Sequence, residues 1–198
     1  MSGDLGALAV SRRSKQRLMT QRRLGILAAI GGVAWIIGVA LALILPVDEF
    51  GDHDNTVAVI SLAIGASLIG IVLGRLGTRP GIRSRTSLAI GLAGIVLGLT
   101  VAMGWPWFMV FLIGYPILVL LGAVRGFLAG TLPGWSVAVI GSSTGLAVVG
   151  LLGLPELFGD GSGFALFALV GVAGLVLAVV ALRIPGVTAS TRPTEVPA

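Results

Sequence analysis

The groups in this chain that can do chemistry fall in four places. In Gly141-Ser142-Ser143-Thr144-Gly145, three hydroxyls follow one another inside an otherwise apolar run. Hydroxyls in such a run can face a polar solute or a second helix, but they can also bond to carbonyls one turn back and need no ligand at all. Tyr115 stands beside Pro116 within another apolar run, with Trp107 nearby. Proline inside a helix removes a backbone donor and kinks the helix, which can open a pocket; the plainer expectation is a packing kink with the Tyr115 hydroxyl bonded to a neighbouring carbonyl. Trp107, Tyr115, Ser142, Ser143 and Thr144 are therefore the candidate solute-contact or helix-packing residues. The third place is the acidic stretch Asp48 to Asp54, DEFGDHD, which contains the single histidine, His53. Carboxylates with one imidazole can hold a divalent cation weakly, but the spacing is not that of an EF-hand, so a solvated outer loop is expected. The fourth is Arg125 at the end of an apolar run. Its long stem lets the guanidinium reach the headgroups, which makes it a candidate inner-interface contact.

Much else is excluded. No cysteine is present, so disulfides, thiolate catalysis and every cysteine-ligated metal site are absent. One histidine cannot build a multi-histidine metal or haem site. No Walker A loop or zincin motif occurs, and no serine has an identifiable base. No catalytic, cofactor-binding or metal-ligating residue is assigned, no cofactor is expected, and an enzymatic role is disfavoured.

The elements that must carry these residues follow from composition. Hydrophobic residues make up 56% of the 198 and charged residues 11%, against roughly 25% charged in an ordinary soluble domain. Mean hydropathy is +1.07. A water-soluble chain of this size cannot bury that much apolar surface, so the expected setting is a lipid bilayer. Six apolar runs are expected as helices, at 24–45, 56–73, 87–101, 107–124, 135–152 and 164–182. The first has 22 residues, about 33 Å of helix and enough for a hydrocarbon core. The third is short and would thin the bilayer locally. The sequence thus predicts an all-α, polytopic transmembrane bundle of six spans over 24–182. It is preceded by a basic cytoplasmic tail, 1–23, and followed by a flexible Pro/Thr-rich cytoplasmic tail, 183–198.

Charge supports that count. The formal net charge of +5 resembles that of a nucleic-acid-binding protein, but its distribution is topological. Six spans place all 13 Lys and Arg residues on one side: Arg12, Arg13, Lys15, Arg17, Arg22 and Arg23, then Arg75, Arg79, Arg83 and Arg85, then Arg125, Arg183 and Arg192. The other side receives Asp48, Glu49, Asp52, Asp54, Glu156 and Asp160. Basic residues accumulate in cytoplasmic loops, so both termini are expected inside, N-in and C-in, in the cell membrane. No nucleic-acid partner is expected. The first run contains Ala40-Leu41-Ala42 but continues through Leu45; it is long for a signal-peptide core and is read as a retained helix. Trp105 and Trp107 suit the outer interface and Trp135 the inner one, while Trp35, in mid-span, is expected to pack against a neighbour or face lipid.

Small residues recur at four-residue spacing: Ala66, Gly70 and Gly74; Gly94 and Gly98; Gly141 and Gly145. Such faces bring membrane helices close, within one chain or between a homo- or hetero-oligomeric pair. The segments SLAIGASLIGIVLG (Ser61 to Gly74) and SLAIGLAGIVLG (Ser87 to Gly98) look alike. They belong to consecutive runs rather than to corresponding helices of two halves, so a transporter-type repeat is not implied. No Asp, Glu, Lys or His lies inside any of the six runs, which weighs against proton-coupled transport. Three functions stay open in this order: an accessory or assembly subunit of a larger membrane complex, a small transporter or binding component for a neutral or apolar solute, and a lipid-modifying enzyme.

Overall fold

The computed structural model describes residues 3–44, 56–76, 85–100, 105–153 and 165–183; at 3–19, 56, 87, 105–109 and 151–153 only the backbone is described. Six helices occur among them: α1 (Gly3–Ile44), α2 (Thr56–Leu76), α3 (Arg85–Thr100), α4 (Trp105–Leu128), α5 (Gly134–Gly153) and α6 (Leu169–Arg183). The all-α architecture agrees with the apolar runs.

The expectation of six spans is corrected. Among the described residues, three helices are long and apolar enough to cross a membrane: Thr20–Ile44 within α1, Val57–Leu76 in α2 and Val110–Leu128 in α4. The apolar stretches of α3, α5 and α6 are shorter, Leu88–Thr100, Gly134–Gly150 and Leu169–Arg183. The first of these rises only about 20 Å, against a hydrocarbon core of roughly 30 Å. At α6 the reason is that an apolar run and a helix are different lengths of chain. The run 164–182 is continuous in hydropathy, yet its helix is broken near Phe167, where Ala168, Val170 and Gly171 each bond to the carbonyl three residues back. Three membrane-crossing helices make the chain a multi-pass membrane protein.

Glycine sets the packing. Where a helix side chain is only hydrogen, a neighbouring backbone can enter the groove, and dispersion contacts replace the missing hydrophobic drive between helices in lipid. A methyl group at Gly94 would lie 2.6 Å from the Gly70 Cα, so α2 and α3 touch backbone to backbone. Further along the same crossing, Gly98 faces the Ala63 carbonyl and the Ser67 hydroxyl. On α1, Gly31 meets Leu68 and Ile69 while Gly38 meets Leu62 and Ala58 of α2. Gly25 meets Leu182, and Gly32 meets Gly171 and Leu175 of α6. Rising numbers on one helix pair with falling numbers on the other at each of these crossings, so α1/α2, α2/α3 and α1/α6 are antiparallel. Helix α4 runs parallel to α2, since Tyr115 reaches Ala66 and Gly122 abuts Leu73. The expected close faces of α2 and α3 are thus present at Gly70, Gly94 and Gly98. Gly141 and Gly145 of α5 instead face open space.

The α4–α5 connection is a defined stop. Gly130 has φ +69°, the left-handed conformation that glycine adopts without strain. Gly130 N–H donates to the Phe127 carbonyl and Thr131 N–H to that of Gly126, the bond pair of a Schellman motif. Leu132 folds over Gly126 and is buried. Ser136 Oγ then donates to the Pro133 carbonyl at 2.7 Å as α5 begins.

Candidate functional site

The interior between α1, α4 and α6 is filled by four rings. Trp35 stacks on Tyr115 at 4.7 Å between centroids and tilts against Phe111 and Phe167 at 5.4 and 5.1 Å. All four side chains are fully buried. Aromatic pairs at such separations contribute about 0.5–1.5 kcal/mol each beyond the area they bury. The cluster depends on a glycine: a methyl at Gly65 would lie 2.8 Å from the Trp35 backbone nitrogen, so only glycine lets α1 settle deeply enough on α2.

Both polar atoms of the cluster are taken by the chain's own backbone. The Trp35 indole Nε1 donates to the Phe167 carbonyl at 2.9 Å. That carbonyl lies at the break before α6, where it also accepts from Val170 N–H at 3.2 Å. Trp35 therefore packs within the chain, one of the two outcomes expected of a mid-span tryptophan. The Tyr115 hydroxyl donates to the Ala66 carbonyl at 2.8 Å. Helix α4 continues through Pro116, which is buried.

The three hydroxyls of α5 diverge, because consecutive helical residues are turned about 100° apart. Ser142 is exposed and its Oγ donates to the Val139 carbonyl at 3.1 Å. Ser143 is buried and donates to the Ile140 carbonyl at 3.1 Å. Thr144 is 0% exposed and its Oγ1 has no hydrogen-bond partner. Among the described residues no hydrogen bond joins Tyr115 to any of the three. The candidate residues thus occupy two separate places, the ring cluster and α5. Trp107 lies on α4, with its side chain outside the described residues. The acidic stretch 48–54, Glu156, Asp160 and the tail beyond Arg183 also lie outside them. Among the described residues no group of three His, Cys, Asp or Glu comes together.

Arg125 is half-buried in the last turn of α4. The antiparallel register puts it at the same end of the bundle as Arg22 and Arg23 of α1, Arg75 of α2, Arg85 of α3 and Arg183 of α6. Each of these five is exposed. Charge counting had already grouped these arginines; the ring cluster, by contrast, had no sequence signal beyond aromatic content, because its members come from positions 35, 111, 115 and 167.

No family model, curated protein or solved structure matches this chain. The molecule is a helical membrane protein whose described residues bring together no evident catalytic set.

Proposed function

We propose that this protein is a non-catalytic membrane subunit that assembles with, or holds in place, other membrane proteins. The observation that carries the reading is the ring cluster. A transporter needs an open solute path between its helices. Here the centre is plugged by four buried rings whose two polar atoms are already bonded to Phe167 and Ala66. Ser142 and Ser143 are likewise bonded to their own helix. What remains is a close-packed helical body, suited to presenting a fixed lipid-facing surface. The basic end faces the cytoplasm in this reading, and the two chain termini with it, because arginine and lysine are retained on that side during insertion.

Purification of the tagged chain from native membranes in mild detergent, followed by mass spectrometry, tests the role. A reproducible stoichiometric membrane partner is expected. A monomer that retains a neutral small molecule would overturn it. A cytosol-dependent reporter fused after Ala198 is expected to be active; activity of an extracytoplasmic reporter at that point would reverse the orientation. One observation favours a second reading, a binding component for a neutral solute: the buried Thr144 hydroxyl, which lacks a partner in its own chain.

A further inference from the structure

The lipid-facing side of α1 is a single stripe, Ile26, Ile30, Val33 and Ile37, each about half exposed. Continued one turn towards the chain start, the stripe meets Arg22 and Arg23, both exposed. On the opposite flank of α2, helix α3 repeats the arrangement. Leu88, Leu92, Val96 and Leu99 are exposed in one line, and Arg85 stands exposed at its head. The register of the bundle places both heads at the same end. A side chain that follows a lipid-facing stripe to its end arrives where the acyl chains of a neighbouring phospholipid give way to its phosphate.

The arginines at these heads have no use there for their own helices. Cations stabilise a helix at its C-terminal end and oppose the positive field at its N-terminal end. Arg85 is the first residue of α3, so its charge runs against the helix field. Arg22 and Arg23 lie in the interior of the long helix α1, away from either end. An anion held at these heads relieves the opposition to the helix field at Arg85.

We propose that Arg22 with Arg23, and separately Arg85, bind the headgroups of anionic glycerophospholipids whose acyl chains lie along the α1 and α3 stripes. The inference rests on the membrane setting and is independent of the assembly role. Two features set the class of ligand. The stripe demands a hydrocarbon tail, and the guanidinium demands a phosphate, which it can engage with paired N–H donors. Headgroup net charge then decides between lipids, since a zwitterionic headgroup brings its own ammonium to the same arginines.

The test uses the full chain reconstituted in nanodiscs made from an equal mixture of phosphatidylglycerol and phosphatidylcholine. It is then released into mild detergent, and the lipids it retains are counted by native mass spectrometry. Wild type is expected to retain phosphatidylglycerol over phosphatidylcholine. The ratio is expected to fall about fivefold for each surface arginine removed, in Arg22→Gln/Arg23→Gln and in Arg85→Gln, and to survive in the corresponding lysine variants. Equal retention of both lipids by wild type would overturn the proposal without recourse to any variant. So would an undiminished preference in the triple glutamine variant, or loss of the preference on adding inorganic phosphate, which would assign the site to a free anion. Recovery of wild type from the soluble rather than the membrane fraction would instead overturn the membrane reading beneath it.

Discussion

The crossing of α2 and α3 offers a sharp test of how this bundle is held together, because one helix carries both a glycine that must be glycine and one that need not be. A methyl at Gly94 would lie 2.6 Å from the Gly70 Cα, whereas one at Gly91 meets nothing within 4 Å. Carbon atoms rest about 3.5–4.0 Å apart, so Gly94→Ala must part the two backbones by about 1 Å at the crossing. A gap of that size forfeits roughly a quarter to a half of each dispersion contact it opens, and overpacking of this kind costs about 1–3 kcal/mol. Both substitutions gain the same helix propensity, up to about 1 kcal/mol for alanine over glycine, so that contribution cancels when the two variants are compared with each other. The expected difference is the clash alone, about 1–3 kcal/mol. For a chain of this size that corresponds to a midpoint roughly 2–10 °C lower for Gly94→Ala than for Gly91→Ala. Thermal unfolding of the detergent-solubilised protein, followed by far-ultraviolet circular dichroism, measures it. Gly70→Ala should behave like Gly94→Ala, since the contact is reciprocal. Equal midpoints for Gly91→Ala and Gly94→Ala would refute the close backbone crossing.

Two further substitutions probe the buried polar groups. Tyr115→Phe removes the donor to the Ala66 carbonyl while keeping the ring stack. It should destabilise by about 0.5–1.5 kcal/mol, the usual net value of one such bond, in the same thermal assay; no change would show that the hydroxyl contributes nothing. Thr144→Val removes a buried hydroxyl without a partner and should be neutral or stabilise by about 1–2 kcal/mol. A fall in stability, or loss of a co-purifying small molecule, would instead assign that hydroxyl to a water or a solute.

How much of this was legible beforehand depends on the range of the interaction. The membrane setting and the helices came from bulk hydropathy, which needs no tertiary information. The expected span at the sixth run did not survive, because hydropathy measures how long a stretch is apolar and not how long it stays helical. The break at Phe167 is invisible in FALFALVGVAG, where every residue is apolar or glycine. Its position is tied to Trp35, 132 residues away, whose indole donates to the carbonyl there. The α4–α5 turn was readable and was missed: Gly130 followed by Pro133 is the pattern of a helix that stops on a left-handed glycine before a second begins. The small-residue faces were half legible. Four-residue spacing marks Gly70 and Gly94, which touch, as strongly as Gly141 and Gly145, which face open space. The difference between them lies in the partner helix, and spacing along one helix contains no partner.

That difference bears on what the protein can do. Close glycine contacts run through α1, α2, α3 and α6, and the four rings seal the space where α4 meets α1 and α6. Moving α1 with α6 against α2 and α4 would keep both buried hydrogen bonds but pull Trp35 out from above Gly65 and off the Tyr115 ring. Moving α1 against the segment before α6 would leave the Trp35 indole N–H without its acceptor; in hydrocarbon no water replaces a lost partner, so such a group costs several kcal/mol. Alternating access, which requires one group of helices to rock against another, would have to open the ring cluster or one of these bonds in every cycle. A subunit that offers a fixed surface to lipid and to neighbouring proteins opens neither. In the proposed assembly role the ring-filled interior stays fixed, and the outer faces, with the arginine-headed stripes of α1 and α3, are what the bundle has left to present to lipid and to neighbours.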